Sequence, residues 1–229
     1  MPTVILVRHG RSGANHSGVL AGRAPGVKLD ETGRAQAVAV AERLAGVPLV
    51  AVVSSPLERC RQTAAEIVRR HPGLKVRSDR RLTECEYGEW TGKTLKDLAK
   101  DPLWPIVQQH PSGVTFPGGE SMREMQQRGV DAVRDHDRSI GERHGPHAVW
   151  VAVSHGDVIK AIVADALGMH LDSFQRIVVD TASATVISYT PGRPFLVRLN
   201  DGGSDLTALL PPPAKRRKAP SSDAVVGGR

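Results

Sequence analysis

Two histidines stand at the same kind of place in this sequence. Each ends a short apolar run and precedes a glycine: Arg8-His9-Gly10 after Val4–Val7, and Ser154-His155-Gly156 after Ala148–Val153. A third apolar run, Val50–Val53, closes in Ser54-Ser55-Pro56, and Arg59 follows in the first turn of a predicted helix. An imidazole can act as a nucleophile at neutral pH, and a guanidinium presents a planar fork of donors matched to phosphate oxygens. In an open α/β sheet, ligands bind beyond the carboxyl ends of the strands. If the three runs are strands of one such sheet, Arg8, His9, Arg59 and His155 meet there, with Arg11 close by. Glycine after each histidine lets the backbone turn sharply and come close. The chemistry this suggests is capture of a phosphate group and attack on it by one of the histidines. Taken singly, each feature has a plainer reading, either a half-exposed His-Gly turn or a solvated helix arginine. It is the combination that points to a site.

The elements that must position these residues follow from periodicity. Val4–Val7, Val50–Val53 and Ala148–Val153 are apolar, β-branched runs bounded by turn signals and read as buried strands. Helices are predicted over Glu31–Leu44, Leu57–Arg70, Glu120–Arg143 and Val158–Leu167. Pro56 sits just before the second and Gly168 just past the last, where each residue type is tolerated. Lys75–Ser78 reads as a short strand, and Ala184–Tyr189 and Phe195–Asn200 as two strands joined by a Pro191-Gly192 turn. Residues 80–119 carry no long period, hold Pro102, Pro105 and Pro111, and are expected to form a lid or binding loop. Strands alternating with helices predict an α/β domain with a largely parallel sheet. The domain is expected to span 1–203, followed by a basic tail, 204–229, with the composition of a disordered segment.

Composition narrows the classes. The chain has 229 residues, 40% hydrophobic and 24% charged, which excludes a wholly disordered chain, a fibrous repeat and a disulfide scaffold. Only 3% are aromatic, so the core must be aliphatic. The net charge is +7, and setting aside the four charges of Lys215-Arg216-Arg217-Lys218 lowers it to +3. The folded part is therefore less basic than the chain, and nucleic-acid binding, which would rest on the tail, is not expected. Cys60 and Cys85 are the only cysteines and form no CxxC pair, so reduced, incidental thiols are expected. No stretch approaches the roughly 18 apolar residues of a membrane span, and the N-terminus lacks the pattern of a signal peptide. A cytoplasmic address is the expectation. No P-loop or GxGxxG is present, and His144-x-x-His147 lacks companion ligands and reads as solvated polarity.

Leu6-Val7-Arg8-His9-Gly10-Arg11-Ser12-Gly13-Ala14-Asn15 resembles the LxRHGx[ST]xxN signature of the histidine phosphatase superfamily, in its phosphoglycerate mutase-like branch. Four more segments are similar to that family's motifs, in the family's order. They are Ser54-Ser55-Pro56-Leu57-Glu58-Arg59-Cys60-Arg61-Gln62-Thr63-Ala64, Leu82-Thr83-Glu84-Cys85-Glu86-Tyr87-Gly88-Glu89-Trp90-Thr91-Gly92, Pro117-Gly118-Gly119-Glu120-Ser121 and Val153-Ser154-His155-Gly156. The resemblance covers about 3–200. A lone Arg-His-Gly is weak, whereas five ordered motifs are specific.

The resemblance implies a three-layer α/β/α sandwich around a central, mostly parallel mixed sheet. It further implies a metal-independent phosphatase of small phosphomonoesters, with no cofactor and a small phosphorylated metabolite as its partner. His9 would be the nucleophile that becomes a phosphohistidine. Arg8, Arg59 and His155 would hold the phosphoryl oxygens, and Glu84 would be the proton donor. Phosphate and substrate contacts are expected from Asn15, Ala21, Gly22 and Gly156 as well, with the Ser54 and Ser55 hydroxyls as further neutral donors. Among Glu84, Glu86 and Glu89, only the motif selects Glu84. Thr91 stands where the family usually has glutamate. Two rival readings stay open: a phosphoglycerate mutase-type phosphomutase, and a non-catalytic binding module with a nucleic-acid-binding tail. Homodimerisation is open too. The stretch after Glu84 carries Lys93, Lys96 and Lys100 but also Leu103, Trp104, Ile106, Val107 and Phe116. It suggests either an apolar leaving group or a lid packed on the core.

Overall fold

The computed structural model describes residues 2–203; the predicted tail lies outside them. Along the chain run β1 (Thr3–Arg8), α1 (Gly13–Ser17), α2 (Glu31–Leu44), β2 (Leu49–Ser54), α3 (Glu58–Arg69), β3 (Val76–Ser78), α4 (Leu95–Leu98) and α5 (Trp104–Gln109). They are followed by α6 (Met122–His144), β4 (Val149–Ser154), α7 (Gly156–Ala166), β5 (Ala184–Tyr189) and β6 (Pro194–Asp201). The long elements fall where periodicity places them. α7 begins two residues earlier than predicted, because Gly156 already has helical backbone behind an extended His155. Gly168 ends that helix region with φ +65°, a conformation that favours glycine.

The six strands form one sheet in the order β3-β2-β4-β1-β5-β6. β3, β2, β4 and β1 run parallel, while β5 and β6 add an antiparallel edge. Because side chains alternate along a strand, the apolar runs feed two cores. Val4 and Leu6 of β1, Val53 of β2, and Trp150 and Ala152 of β4 face α6 and α7. Ile5, Val7, Val52, Val151 and Val153 face the opposite way, toward α2 and α3. The result is the expected three-layer sandwich. Trp150 is fully buried among aliphatic neighbours, and truncating such a residue to alanine costs about 3–5 kcal/mol.

Pairing also fixes where the strand ends lie. Arg8 of β1 sits opposite Ser154 of β4, and Ser54 of β2 opposite Val153. The His9 amide donates to the Ser154 carbonyl at 3.0 Å and the Ser55 amide to the Val153 carbonyl at 2.9 Å. Three parallel strands therefore finish at one level. A Cβ on Gly10 would collide with the Gly33 carbonyl, and one on Gly33 with the Arg11 carbonyl. This close approach explains a glycine in the first turn of an otherwise alanine-rich helix.

Of the two readings open for the stretch 80–119, the structure favours a segment packed on the core. It contains α4, α5 and three short 3₁₀ turns, and it packs Leu98, Val107, Val114 and Phe116 into the α6/α7 core, with Trp104 stacked on Trp90 at 6.0 Å. Its apolar residues mostly cover the core rather than a ligand.

Candidate active site

The strand ends and the first turn of α3 bring Arg8, His9, Arg59 and His155 together, and Glu84 joins them from the segment after β3. All five side chains are buried, none more than 5% exposed. His9 Nδ1 lies 2.7 Å from the Gly10 carbonyl oxygen, which can only accept, so the ring proton sits on Nδ1. That leaves Nε2 with its lone pair, where Arg59 Nε donates to it at 3.2 Å. Burial first, then Arg59 and Arg8, holds this imidazole well below its ordinary value. It is neutral, with the Nε2 lone pair facing Arg59.

Arg59 is the hub. Its Nη2 donates to the Gly22 carbonyl at 2.8 Å and to His155 Nδ1 at 3.2 Å. With Nδ1 accepting, His155 carries its proton on Nε2 and donates it to Ser55 Oγ at 2.8 Å. Burial and the Arg59 charge keep His155 neutral as well. The remaining Arg59 nitrogen, Nη1, is buried with no hydrogen-bond partner. A buried charged donor left unsatisfied is costly unless an anion meets it.

Glu84 Oε1 accepts from the Cys85 amide at 3.0 Å. Burial, reinforced by the nearby Asp157 carboxylate, pushes the Glu84 carboxyl up to about 7. Its neighbours Glu86 and Glu89 are exposed. The structure thus picks Glu84 by burial, where the spacing of the three glutamates did not. A cavity of ≈ 100 Å³ opens on these groups, lined among others by His9, Asn15, Gly22, Arg59, Glu84 and Tyr87. A neutral imidazole, an unsatisfied guanidinium and a carboxyl raised toward neutrality meet at one small cavity, a set suited to phosphoryl transfer.

The profile of the histidine phosphatase superfamily, branch 1, matches residues 4–202. The chain belongs to that superfamily. It is 32% identical over 202 residues to phosphoserine phosphatase 1 of Hydrogenobacter thermophilus, covering 87% of this chain and 92% of that one. It is 32% identical over 199 residues to glucosyl-3-phosphoglycerate phosphatase of Mycobacterium tuberculosis, covering 84% and 88%. Among solved structures, Bacillus stearothermophilus YhfR superposes with a TM-score of 0.78 at 30% identity, over 88% of this chain and 98% of that one. The chain is therefore a phosphatase of the histidine phosphatase superfamily.

Within this phosphatase, the remaining predicted residues take different places. Asn15 and Ala21 line the cavity. The Asn15 oxygen accepts from the Ser12 hydroxyl at 2.7 Å, which caps α1 and leaves the amide N–H groups as donors. Gly22, at φ +48°, turns its carbonyl to Arg59, and a Cβ there would press on the Tyr87 ring and the Thr91 hydroxyl at 3.0 Å. Arg8, His155 and Gly156 lie behind the lining. Arg8 Nη1 donates to the Val179 carbonyl at 2.7 Å, and a Cβ on Gly156 would lie 3.5 Å from the Arg8 guanidinium. Ser54 turns its hydroxyl onto the Ser55 carbonyl, so of the two serines only Ser55 reaches a site residue. Arg11 pairs with Asp30 at 2.7 Å instead of joining the site.

The thiols are free and buried as expected, but Cys60 is not incidental in position. Its Sγ lies 3.3 Å from His155 Nε2, and burial pushes it up to about 12, so it stays a thiol. Several supporting residues were not singled out in the sequence, although Thr63, Tyr87 and Glu120 lie within its motif segments. Thr63 Oγ1 accepts from the Gly10 amide at 3.1 Å. Arg23 and Arg128 both donate to the Glu84 carbonyl, at 2.8 and 3.1 Å, and both bind Glu120. Asp157 accepts from the Tyr87 hydroxyl at 2.6 Å. Periodicity shows none of these, because each pairing joins distant segments.

Proposed function

We propose that this phosphatase hydrolyses small phosphomonoesters through a phosphohistidine on His9, with Glu84 moving the protons and no metal ion. What supports the reading most is the unpartnered Arg59 Nη1 beside the His9 Nε2 lone pair, in a cavity that also holds the Glu84 carboxyl. A phosphoryl group at the cavity would exchange the Arg59–His9 hydrogen bond for bonds from the guanidinium to its oxygens. Donors already aimed at the developing charge stabilise the transition state without reorganisation. In the first step His9 Nε2 bonds to phosphorus as the ester P–O bond breaks, and the Glu84 carboxyl gives its proton to the leaving oxygen. In the second, Glu84 takes a proton from water as the water oxygen bonds to phosphorus. The P–N bond then breaks and His9 is regenerated. Splitting one displacement in two is the gain from a covalent intermediate.

Guanidinium groups supply the positive charge, and among the described residues no three His, Cys, Asp or Glu side chains converge as a metal set. The acid-phosphatase character follows from the two perturbed groups. His9 must be neutral, which holds above its lowered value, and Glu84 must be protonated, which holds below about 7. Turnover should peak on the acid side of neutrality. A phosphomutase would have to hold a second charged group, yet among the described residues lining the cavity Arg59 is the only arginine and there is no lysine. For its address, two free buried thiols fit a reducing compartment such as the cytoplasm. No helix of the described residues is long and apolar enough to cross a membrane.

The test is a brief reaction with a labelled phosphomonoester, quenched at high pH where phosphohistidine survives. Label on His9, and turnover that survives exhaustive chelation, are the expected results. Label on a serine or aspartate, or full loss of activity restored by a divalent ion, would overturn the reading.

A further inference from the structure

The wall of the cavity away from His9 and Arg59 differs in kind from the phosphoryl side. Ala14, Val19, Leu20, Ala21 and Leu95 contribute carbon, together with the Tyr87 ring. This wall is a built feature. The Leu20 amide donates to the Lys93 carbonyl at 2.9 Å, the Gly92 amide to the Leu20 carbonyl at 2.8 Å, and the Leu95 amide to the Gly18 carbonyl at 2.8 Å. The two segments thus form a short tied strip that sets the width of the cavity. Its ≈ 100 Å³ falls well below the roughly 300–1,000 Å³ of pockets that enclose larger ligands.

Cations near the strip are committed elsewhere or lie outside the lining. Arg23 spends its guanidinium on the Glu84 carbonyl, Glu86 and Glu120, and Arg11 is bound to Asp30 and the Thr32 hydroxyl. Lys93 and Lys96 are exposed and absent from the lining. A carboxylate on the leaving group would lie against aliphatic carbon close to Glu84, partly desolvated and with no cation but the phosphate-holding Arg59 in the lining to pair with it. Burying an anion that way is strongly unfavourable.

We infer that the substrates of this chain are phosphomonoesters of short, uncharged alcohols, with Ala14, Val19 and Leu95 setting that preference against leaving groups that carry a carboxylate. The inference rests on the phosphohistidine reading above and adds the substrate class to it. The carboxylate-bearing esters named for the relatives, phosphoserine and glucosyl-3-phosphoglycerate, are accordingly poor substrates here.

The full-length protein is assayed with two esters of matched size, n-propyl phosphate and the phosphate ester of 3-hydroxypropanoate, and phosphate release is followed alongside label on His9. A kcat/KM at least ten-fold higher for the propyl ester is expected. L95K, and separately A14K on the surface of α1, should narrow that ratio at least ten-fold by placing an ammonium on the wall. Should L95K fail to fold, A14K still reads the wall. Label on His9 with equal or faster turnover of the carboxylate ester would overturn the substrate class alone. An unchanged ratio in a folded lysine variant would do the same. No phosphate from either ester and no label on His9 would overturn the mechanism and the substrate class together.

Discussion

The two sides of the cavity are made by different means. The phosphoryl side comes off the sheet: His9 follows β1, His155 follows β4, and Arg59 stands in the first turn of α3 after β2. Its groups are buried and held by charge-assisted or backbone hydrogen bonds. The leaving-group side is a tied strip of loop, with the five-residue α1 at one end and the four-residue α4 at the other. Rigid strand ends fix chemistry that tolerates little displacement, whereas loops can change shape and lining without disturbing the layers beneath. On the proposed reading, one side sets what reaction occurs and the other sets on what.

If that division holds, damage to the phosphoryl side should abolish turnover of every ester alike. His9→Ala removes the atom proposed to bond to phosphorus and is expected to cut kcat by about four orders of magnitude or more. The fold should survive, since His9 is tied to the chain mainly through its own backbone and Arg59. Circular dichroism and melting check the fold, and phosphate release checks the loss. Residual activity that varies strongly from ester to ester would break the comparison, because the leaving-group side would then be driving chemistry.

Glu84 lies between the two sides, and its effect should depend on the leaving group. Glu84→Gln keeps shape and burial but cannot give up the proton. Loss of a positioned general acid costs on the order of 10²–10⁴-fold for an alkyl phosphate. For p-nitrophenyl phosphate, whose leaving oxygen needs little protonation, the loss should be far smaller. The alkaline limb of the pH profile should flatten as well, since that limb reports Glu84 losing its proton near 7. Equal losses on both esters would transfer the role to another group, and the exposed Glu86 and Glu89 would be tested next.

The same division governs what could be read from the chain alone. The phosphoryl side was legible because its residues sit at strand ends and a helix start, and continuous apolar runs bounded by turn signals announce those places. Arg8, His9, Arg59 and His155 therefore came out by position, with the family motifs adding Glu84 and Asn15. The wall was not legible. Gly18–Leu20 and Lys93–Leu95 touch across more than seventy residues, and each is too short to carry a period. The apolar stretch 103–116 could have been a leaving-group wall or a lid packed on the core, and its buried side chains fill the α6/α7 core. Hydrophobicity marks burial but does not say whether the neighbour is core or ligand. α1 went unseen for a related reason: at five residues it is held by the Ser12–Asn15 capping box and not by an apolar face.

The smallest expected effect lies beneath the cavity, at Asp157 in the first turn of α7, and it sharpens the comparison because it should move pH dependence with little change in chemistry. Asp157 and Lys160 from α7, Arg59 from α3 and Arg8 from β1 all bear on Glu84. Asp157 repels the ionised carboxylate and so favours the protonated form, whereas the three cations pull the other way. Asp157→Asn removes that repulsion, and the amide oxygen can still accept from the Tyr87 hydroxyl, now bound at 2.6 Å. The Glu84 carboxyl should then titrate lower, and the alkaline limb of kcat/KM should move to lower pH. Activity near pH 7 falls while activity near pH 5 is nearly unchanged. The substitution also strips buried Lys160 of the carboxylate 3.9 Å away. Breaking a buried pair in this way costs about 3–5 kcal/mol of stability. The pH profile is therefore read on Asp157→Asn itself, below its lowered melting temperature and with circular dichroism as the check on folding. A folded Asp157→Asn enzyme with the wild-type limb would mean that burial holds the proton on Glu84 without help from Asp157.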